Sequence, residues 1–201
     1  MQIQGFDDLD PDPRQQLQAW LDDARRTGLR EPGAMALSTV GPDGVPQVRM
    51  VLLRGLDERG LTFFTNYESE KGIALSAHPV AAACFYWDPL ERQVRVTGPV
   101  ARLERDASDD YFASRPLGSR IAAWASDQSR PIADRASLEE RYSAALERFA
   151  GGDVPLPPYW GGYRLIPNVY EFWHGRADRL HDRLRYTRTN GGGWQRRRLM
   201  P

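Results

Sequence analysis

Arg49 and Arg54 bracket an aliphatic run, and Ser69-Glu70-Lys71 follows as a helix start with Ser69 as its N-cap. Cations on a strand beside a helix N-terminus can hold a phosphate through charge-assisted hydrogen bonds. Side chains alternate along a strand, so Arg49 and Arg54 should face opposite sides and serve two anions rather than one. The plainer reading makes both arginines edge charges that block sheet aggregation. Tyr111 and Arg115 stand one helical turn apart on one face. Ser119 opens the next helix, where its hydroxyl and the free amides can meet an anion; a capped helix pair with a surface arginine explains the same residues. Gln128-Ser129 lies in a polar loop and says little alone. The stretch from Trp173 to Arg183 gathers a tryptophan, His174, His181, Arg176, Arg179 and Arg183, and it reads equally as a charged, solvated loop.

Other chemistries lack their residues. The 27 basic side chains match 27 acidic ones, so bulk charge gives no case for a nucleic acid. The charge is uneven, with Asp7, Asp8, Asp10 and Asp12 near the start and arginines beyond His174, but this tail has no nucleic-acid motif or regular stacking platform. The histidines His78, His174 and His181 come without Cys-x-x-Cys or His-Glu-x-x-His, so no metal site is expected. No Gly-x-Ser-x-Gly elbow or glycine-rich nucleotide loop is present, and Cys84, in an apolar run, reads as a buried, inert thiol. No apolar run approaches a membrane span, and acids stand where a signal peptide needs cations; a cytoplasmic protein is expected. What remains is a vocabulary of arginine, glutamine, serine and aromatic rings suited to phosphates and flat rings.

The elements that must position these groups follow from pattern. The 201 residues suit one domain, with residues 1–11 flexible. Asp12-Pro13 opens a helix through Leu17, Trp20, Leu21 and Ala24 that stops at Gly28. Strands are expected over Ala34–Val40, Val48–Arg54 and Leu61–Thr65, with turns at 41–44 and 55–60. A short helix from Ser69 leads to strands Val80–Trp87 and Gln93–Leu103. Helices follow over Asp106–Ser114, Ser119–Ala125 and Ser137–Phe149, the last with Ser137 and Glu140 as a capping box. Leu156 to Arg164 reads as a rigid aromatic loop, and Val169–Trp173, Arg183–Arg188 and Trp194–Leu199 as the last strands, with a hairpin turn at 190–193. Strands at both ends and helices between them give an α+β fold on an antiparallel barrel.

Taken together, Arg49-Met50-Val51-Leu52-Leu53, Phe64-Thr65-Asn66 with Ser69-Glu70-Lys71, Leu90-Glu91-Arg92-Gln93-Val94, Tyr111 to Ser119, Gln128-Ser129, the Tyr-Trp-Gly-Gly of 159–162, Glu171-Phe172-Trp173 and Arg179 to Arg183 resemble the pyridoxamine/pyridoxine 5′-phosphate oxidases. The resemblance runs from about residue 15 to the C-terminus, in the family's order. It implies an FMN-binding split β-barrel with peripheral helices, working as a homodimer with FMN in the subunit interface. It implies that Arg49 and Lys71 bind the FMN phosphate, with Met50, Val51, Leu52, Phe64 and Thr65 beside them. Gln93, Gln128, Ser129, Trp173 and Arg183 would complete the flavin site, some from the partner subunit. Arg54, Tyr111, Arg115 and Ser119 would hold the substrate phosphate, and Arg179 and His181 would flank the pyridine ring as orienting groups in catalysis. The implied reaction is hydride transfer from the C4′ carbon of a phosphorylated B6 vitamer to the flavin, with dioxygen as acceptor and hydrogen peroxide released.

Three departures bear on that expectation. Arg54 stands where the family has a lysine, and the two cations are not interchangeable. Glu70 replaces an arginine beside Lys71, and an N-terminal Arg-x-x-Tyr segment is not found. These features also resemble the flavin oxidases of phenazine biosynthesis, which act on a reduced tricyclic precursor. A split-barrel protein that binds FMN or pyridoxal phosphate without turnover is the remaining alternative.

Overall fold

Asp12 accepts a hydrogen bond from the Arg14 amide and opens helix α1 (Pro13–Arg26), whose proline sits where an amide would lack a partner anyway. The helix buries Leu17, Trp20, Leu21 and Ala24 on one face and stops at Thr27, followed by Gly28 at φ +79°. The computed structural model describes residues 6–201. Within the lead expected over residues 1–11, Phe6–Asp8 forms a short 3-10 helix. Phe6 and Leu9 are buried in the core, where the Phe6 ring meets Trp20 at 6.5 Å. The first five residues lie outside the described part.

The strands are β1 (Ala34–Val40), β2 (Pro46–Leu52), β3 (Gly55–Asp57), β4 (Gly60–Asn66), β5 (Val80–Trp87), β6 (Arg92–Arg102), β7 (Trp160–Leu165), β8 (Val169–His174), β9 (Asp182–Arg188) and β10 (Trp194–Arg198). Helix α2 (Glu70–Ala77) follows β4, and α3 (Arg105–Ala113), α4 (Leu117–Ala125) and α5 (Arg135–Arg148) lie between β6 and β7. Every pairing is antiparallel, in the order β10-β9-β8-β6-β5-β1-β2, while β3, β4 and β7 form a second sheet joined to the first through β6. Residues Arg92–Thr97 of β6 pair with β8, and Val100–Arg102 pair with β7. The bend between these halves needs Gly98, where a Cβ would stand 1.9 Å from the Ile166 carbonyl oxygen. The result is the α+β split barrel expected from the sequence.

Alternation divides the larger sheet cleanly. Leu37, Phe85, Val94, Phe172 and Tyr186 point inward to a core closed by α1, where Trp20 meets Phe172 edge-on at 5.2 Å. The outer face carries Val48, Met50, Ala36, Cys84 and Tyr86 on one half and Arg95, Glu171 and Arg185 on the other. A second, smaller core lies under the helices and joins Phe112, Ile121, Ala125, Ala145, Val154, Leu156 and Trp160.

Several sequence expectations shift. Gly55–Asp57 is a strand paired with β4 rather than a turn, and only the residues up to Gly60 reverse the chain. The aromatic loop over 156–164 becomes strand β7 from Trp160, because Phe64 and Thr65 of β4 supply it with ladder partners. Helix α4 begins at Leu117, so the Ser119 amide is already bonded to the Pro116 carbonyl and is not free for an anion. The cap of α5 is Asp134, which accepts from both the amide and the hydroxyl of Ser137, in place of the Ser137 capping box. Cys84 is half-buried on the outer face rather than in the core, and burial raises its thiol pKa.

Trp20 joins α1 to the sheet on both sides, with the Arg92 guanidinium 4.8 Å above its ring and Asp23 bonded to Arg92 at 2.7 Å. Trp20→Ala should therefore lower the unfolding free energy by about 3–5 kcal/mol, measured by urea denaturation.

Candidate functional site

The site is built where β4 hands over to α2. Ser69 caps α2 and accepts from the Gly72 amide, which fixes the first helical turn and, with it, Lys71. Lys71 is 8% exposed. Its ammonium donates to Thr65 Oγ1 at 3.2 Å, Ser69 Oγ at 3.4 Å and Gln128 Oε1 at 3.1 Å. Gln128 Oε1 also accepts from Thr65 Oγ1 at 3.0 Å, so the loop after α4 is tied to the barrel here. From β2, Arg49 donates to Thr39 Oγ1 at 2.7 Å, the Leu37 carbonyl at 3.2 Å and Gln47 Oε1 at 3.0 Å. These partners are all neutral oxygens. Burial first, then the charge of Arg49, push the Lys71 pKa down from 10.5 to about 8, against the pull of Glu70. Burial likewise lowers the Arg49 pKa, and exposed Glu70 partly offsets it. Two desolvated cations that repel each other and meet only neutral oxygens form an arrangement suited to an anion.

A second cation cluster faces a cavity of about 420 Å³ that Lys71 also lines. Arg115 spreads over the Trp160 ring at 4.6 Å, and its Nη1 is buried with no hydrogen-bond partner. Burial lowers its pKa, Tyr111 opposes this, and repulsion from Arg54 adds to it. The wall is an aromatic slab: Phe64 stacks on Tyr111 at 3.8 Å and on Trp160 at 5.6 Å. Gly162 sits opposite Phe64 on β7, and a Cβ there would stand 2.8 Å from the ring edge, so glycine lets the slab close. Met50, Val51, Leu52, Phe64, Thr65, Lys71 and Gln128 line this cavity together with Arg54, Tyr111, Arg115 and Ser119. Arg54 reaches it for a different reason than strand alternation. Strand β2 ends at Leu52, and the Arg54 amide pairs with Thr62 of β4, so the chain has changed sheets. Trp160 and Pro116 also line the cavity and were not singled out as site residues from sequence; the aromatic embedded in Tyr-Trp-Gly-Gly was the available signal for Trp160.

The remaining sequence candidates lie elsewhere in the chain. Gln93, Trp173 and Arg183 are register neighbours across β6, β8 and β9 on the outer sheet face. Arg183 forks onto Glu171 Oε1 at 2.7 and 3.0 Å and donates to the Met200 carbonyl at 2.8 Å. Burial pushes the Glu171 pKa up, but hydrogen bonds from Arg183 and Arg185 outweigh it and hold the carboxyl below its usual value. His181 packs against Trp173 at 4.8 Å and accepts the Arg176 amide on Nδ1 at 3.1 Å. Asp178 and Arg179 both adopt left-handed backbone, at φ 57° and 62°; for non-glycine residues this costs on the order of 1 kcal/mol each. Ser129 is exposed and also left-handed, at φ 73°. One chain thus brings together the cation clusters and the slab, but not Gln93, Trp173, Arg183, Arg179 or His181.

Residues 21–147 match the model of the pyridoxamine 5′-phosphate oxidase family. The chain belongs to this family. Residues 160–201 match the pyridoxine 5′-phosphate oxidase C-terminal dimerisation region. The chain is 55% identical over 194 residues to the pyridoxine/pyridoxamine 5′-phosphate oxidase of Cupriavidus taiwanensis, covering 96% of this chain and 91% of that one. It is 56% identical over 196 residues, with the same coverage, to the enzyme of that name from Burkholderia multivorans. The crystal structure of PhzG from Burkholderia lata in complex with tetrahydrophenazine-1-carboxylic acid superposes with a TM-score of 0.92 at 33% identity, over 100% of this chain and 98% of that one. A pyridoxamine 5′-phosphate oxidase-related, FMN-binding protein from Nostoc punctiforme superposes at 0.78 and 20% identity, over 96% and 100% of the chains, and bears on the fold alone. As a member of the oxidase family, this chain is an oxidase. No helix among the described residues is long and apolar enough to cross a membrane.

Charged Lys71 is the form that holds a phosphate. Affinity for a phosphate monoester should therefore be greatest between about pH 6, below which the ester takes up its second proton, and about pH 8, and weaken as the pH rises through the upper value. Lys71→Met should flatten this dependence and cost about 10–100-fold in affinity, read by calorimetric titration across that range.

Proposed function

We propose that the chain oxidises pyridoxamine 5′-phosphate and pyridoxine 5′-phosphate to pyridoxal 5′-phosphate, as a homodimer with FMN between the subunits. One observation carries this reading: an aromatic-walled cavity is lined by Lys71, Arg54 and Arg115, with Arg49 close enough to Lys71 to repel its charge, and repulsion within each of the two pairs suits it to a phosphate. FMN is the family's cofactor, and the residues fit it. A ribityl phosphate answers the desolvated Arg49 and Lys71, whose present partners are neutral oxygens. Thr65 and Gln128 add hydrogen-bonding groups, and Met50, Val51, Leu52 and Phe64 add backbone and apolar surface.

When bound, FMN would supply the two-electron acceptor for oxidation at the substrate C4′ carbon, with dioxygen as the final acceptor, reduced to hydrogen peroxide. The protein's part is alignment and exclusion of water. Arg115 offers its unpartnered Nη1 to the substrate phosphate, with Arg54, Tyr111 and Ser119 around it. Arg54 keeps the positive charge and forked donors of a phosphate ligand where the family has lysine. Arg179 and His181 orient the pyridine ring. Gln93, Ser129, Trp173 and Arg183 complete the flavin site. None of these six lines the cavity of its own chain, and a homodimer would let one subunit's outer face close the other's cavity. Support for that assembly comes from the dimerisation-region match and from Val48, Met50 and Tyr86, 70%, 63% and 56% exposed on one face.

A second reading, oxidation of a reduced tricyclic acid, takes its support from the PhzG likeness. Anaerobic mixing decides between them: pyridoxamine 5′-phosphate should bleach the bound flavin rapidly, and a reduced phenazine precursor should not. Bleaching by the precursor alone would reverse the assignment. Arg115→Ala should raise KM by about 10–100-fold, from the loss of a charge-assisted hydrogen bond of about 1.5–3 kcal/mol. Arg179→Ala should lower kcat/KM strongly with FMN retained; unchanged turnover in steady-state peroxide assays would remove Arg179 from the site.

A further inference from the structure

We propose that Asp182 and Arg176 are positioning residues that clamp the 176–182 loop and fix the tautomer of His181. The inference rests on the reading that His181 and Arg179 meet the substrate ring. Asp182 opens β9 and splits its carboxylate between two cations. Its Oδ2 takes Arg176 Nε at 2.7 Å, and its Oδ1 takes Arg198 Nη1 of β10 at 2.7 Å. Arg176 is engaged a second time through its backbone, whose amide donates to His181 Nδ1 at 3.1 Å. The neighbouring Gly175 amide donates to the Glu91 carbonyl at 2.7 Å, which anchors the loop's entry to the turn before β6. A chain of contacts therefore runs from the sheet, through Asp182 and the Arg176 side chain, to the Arg176 amide and the imidazole.

The chemistry of the imidazole follows. A neutral ring whose Nδ1 accepts a backbone amide carries its proton on Nε2. His181 thus keeps one defined donor for a substrate, with the Trp173 ring at 4.8 Å limiting its rotation. The loop between the clamped ends needs such restraint, since Asp178 and Arg179 hold consecutive left-handed conformations that a free loop would relax. Without the carboxylate, Arg176 and Arg198 lose the anion they share, and the loop loses its charged tie to β9 and β10.

The test uses FMN-loaded enzyme. In nitrogen-15 spectra, with the His181 signals assigned by their loss in His181→Gln, the wild type should show a protonated Nε2 and an unprotonated Nδ1. In Asp182→Asn the two nitrogen shifts should converge as tautomers mix. Turnover should fall about 10-fold in kcat with KM changed less than about threefold, because alignment rather than phosphate binding is lost. FMN affinity should be unchanged. Asp182→Glu should recover much of the rate, and Arg176→Gln combined with Asp182→Asn should be no worse than Asp182→Asn alone. Unaltered His181 nitrogen shifts in Asp182→Asn would overturn the proposal, as would a kcat within about twofold of wild type beside a crippled His181→Gln. Normal turnover by His181→Gln would instead defeat the assignment of His181 to the substrate, while the nitrogen shifts still judge the clamp. If Asp182→Asn does not fold, Arg176→Gln gives the same readouts.

Discussion

Cations held near one another are the constraint around which this molecule is arranged. Arg49 and Lys71 repel, as do Arg54 and Arg115, and burial further penalises the charges of Arg49, Lys71 and Arg115. Nothing local favours this, so the barrel must impose it. Lys71 is pinned by the Ser69 cap of α2, by Thr65 on β4 and by Gln128 from the loop after α4. Arg49 is pinned by a carbonyl and a hydroxyl of β1. Arg115 lies over Trp160, on which Phe64 and Tyr111 stack. Two sheets, the short α2 and the helical segment all contribute to a cavity whose polarity is set before any ligand arrives.

Much of this was legible in the sequence because period and punctuation agree with the tertiary structure there. Ala34–Val40 and Val80–Trp87 are strands to the residue, and Asp12-Pro13 and Ser69 start helices as their types require. The failures are places where a distant partner decides. Gly55 and Trp160 look like turn and loop residues until β4 offers both of them a ladder. Asp134 outcompetes Ser137 for the cap of α5 because its extended backbone aims a carboxylate at the helix amides. For the site, residue types named the anion chemistry, but alternation could not explain how Arg54 reaches the cavity, since the chain leaves β2 before that residue. Nor could spacing reveal that Trp173, Gln93 and Arg183 are cross-strand neighbours on a different face from Lys71.

The sheet's outer face has two characters for a physical reason. On β1, β2 and β5 its side chains are small or apolar, while on β6, β8 and β9 a buried Glu171 gathers Arg95, Arg183 and Arg185 around one carboxylate. Three cations on one anion leave a local excess of positive charge, next to a strip that sheds water readily. Such a surface supplies both an adhesive strip and a polar corner.

The small core under α3, α4 and α5 has its own apolar contents and meets the barrel chiefly along β7 and the ring of Phe64. It carries Tyr111, Arg115, Ser119 and the approach to Gln128, whereas Arg49 and Lys71 belong to the barrel side. The cavity therefore draws on two packing units: Arg115 rides on the helical core, while Arg49, Arg54 and Lys71 sit on the barrel strands, the link between β2 and β3, and α2. Substitutions within the small core can reshape the Arg115 side of the cavity while β1 and the Ser69 cap go on holding Arg49 and Lys71 in place.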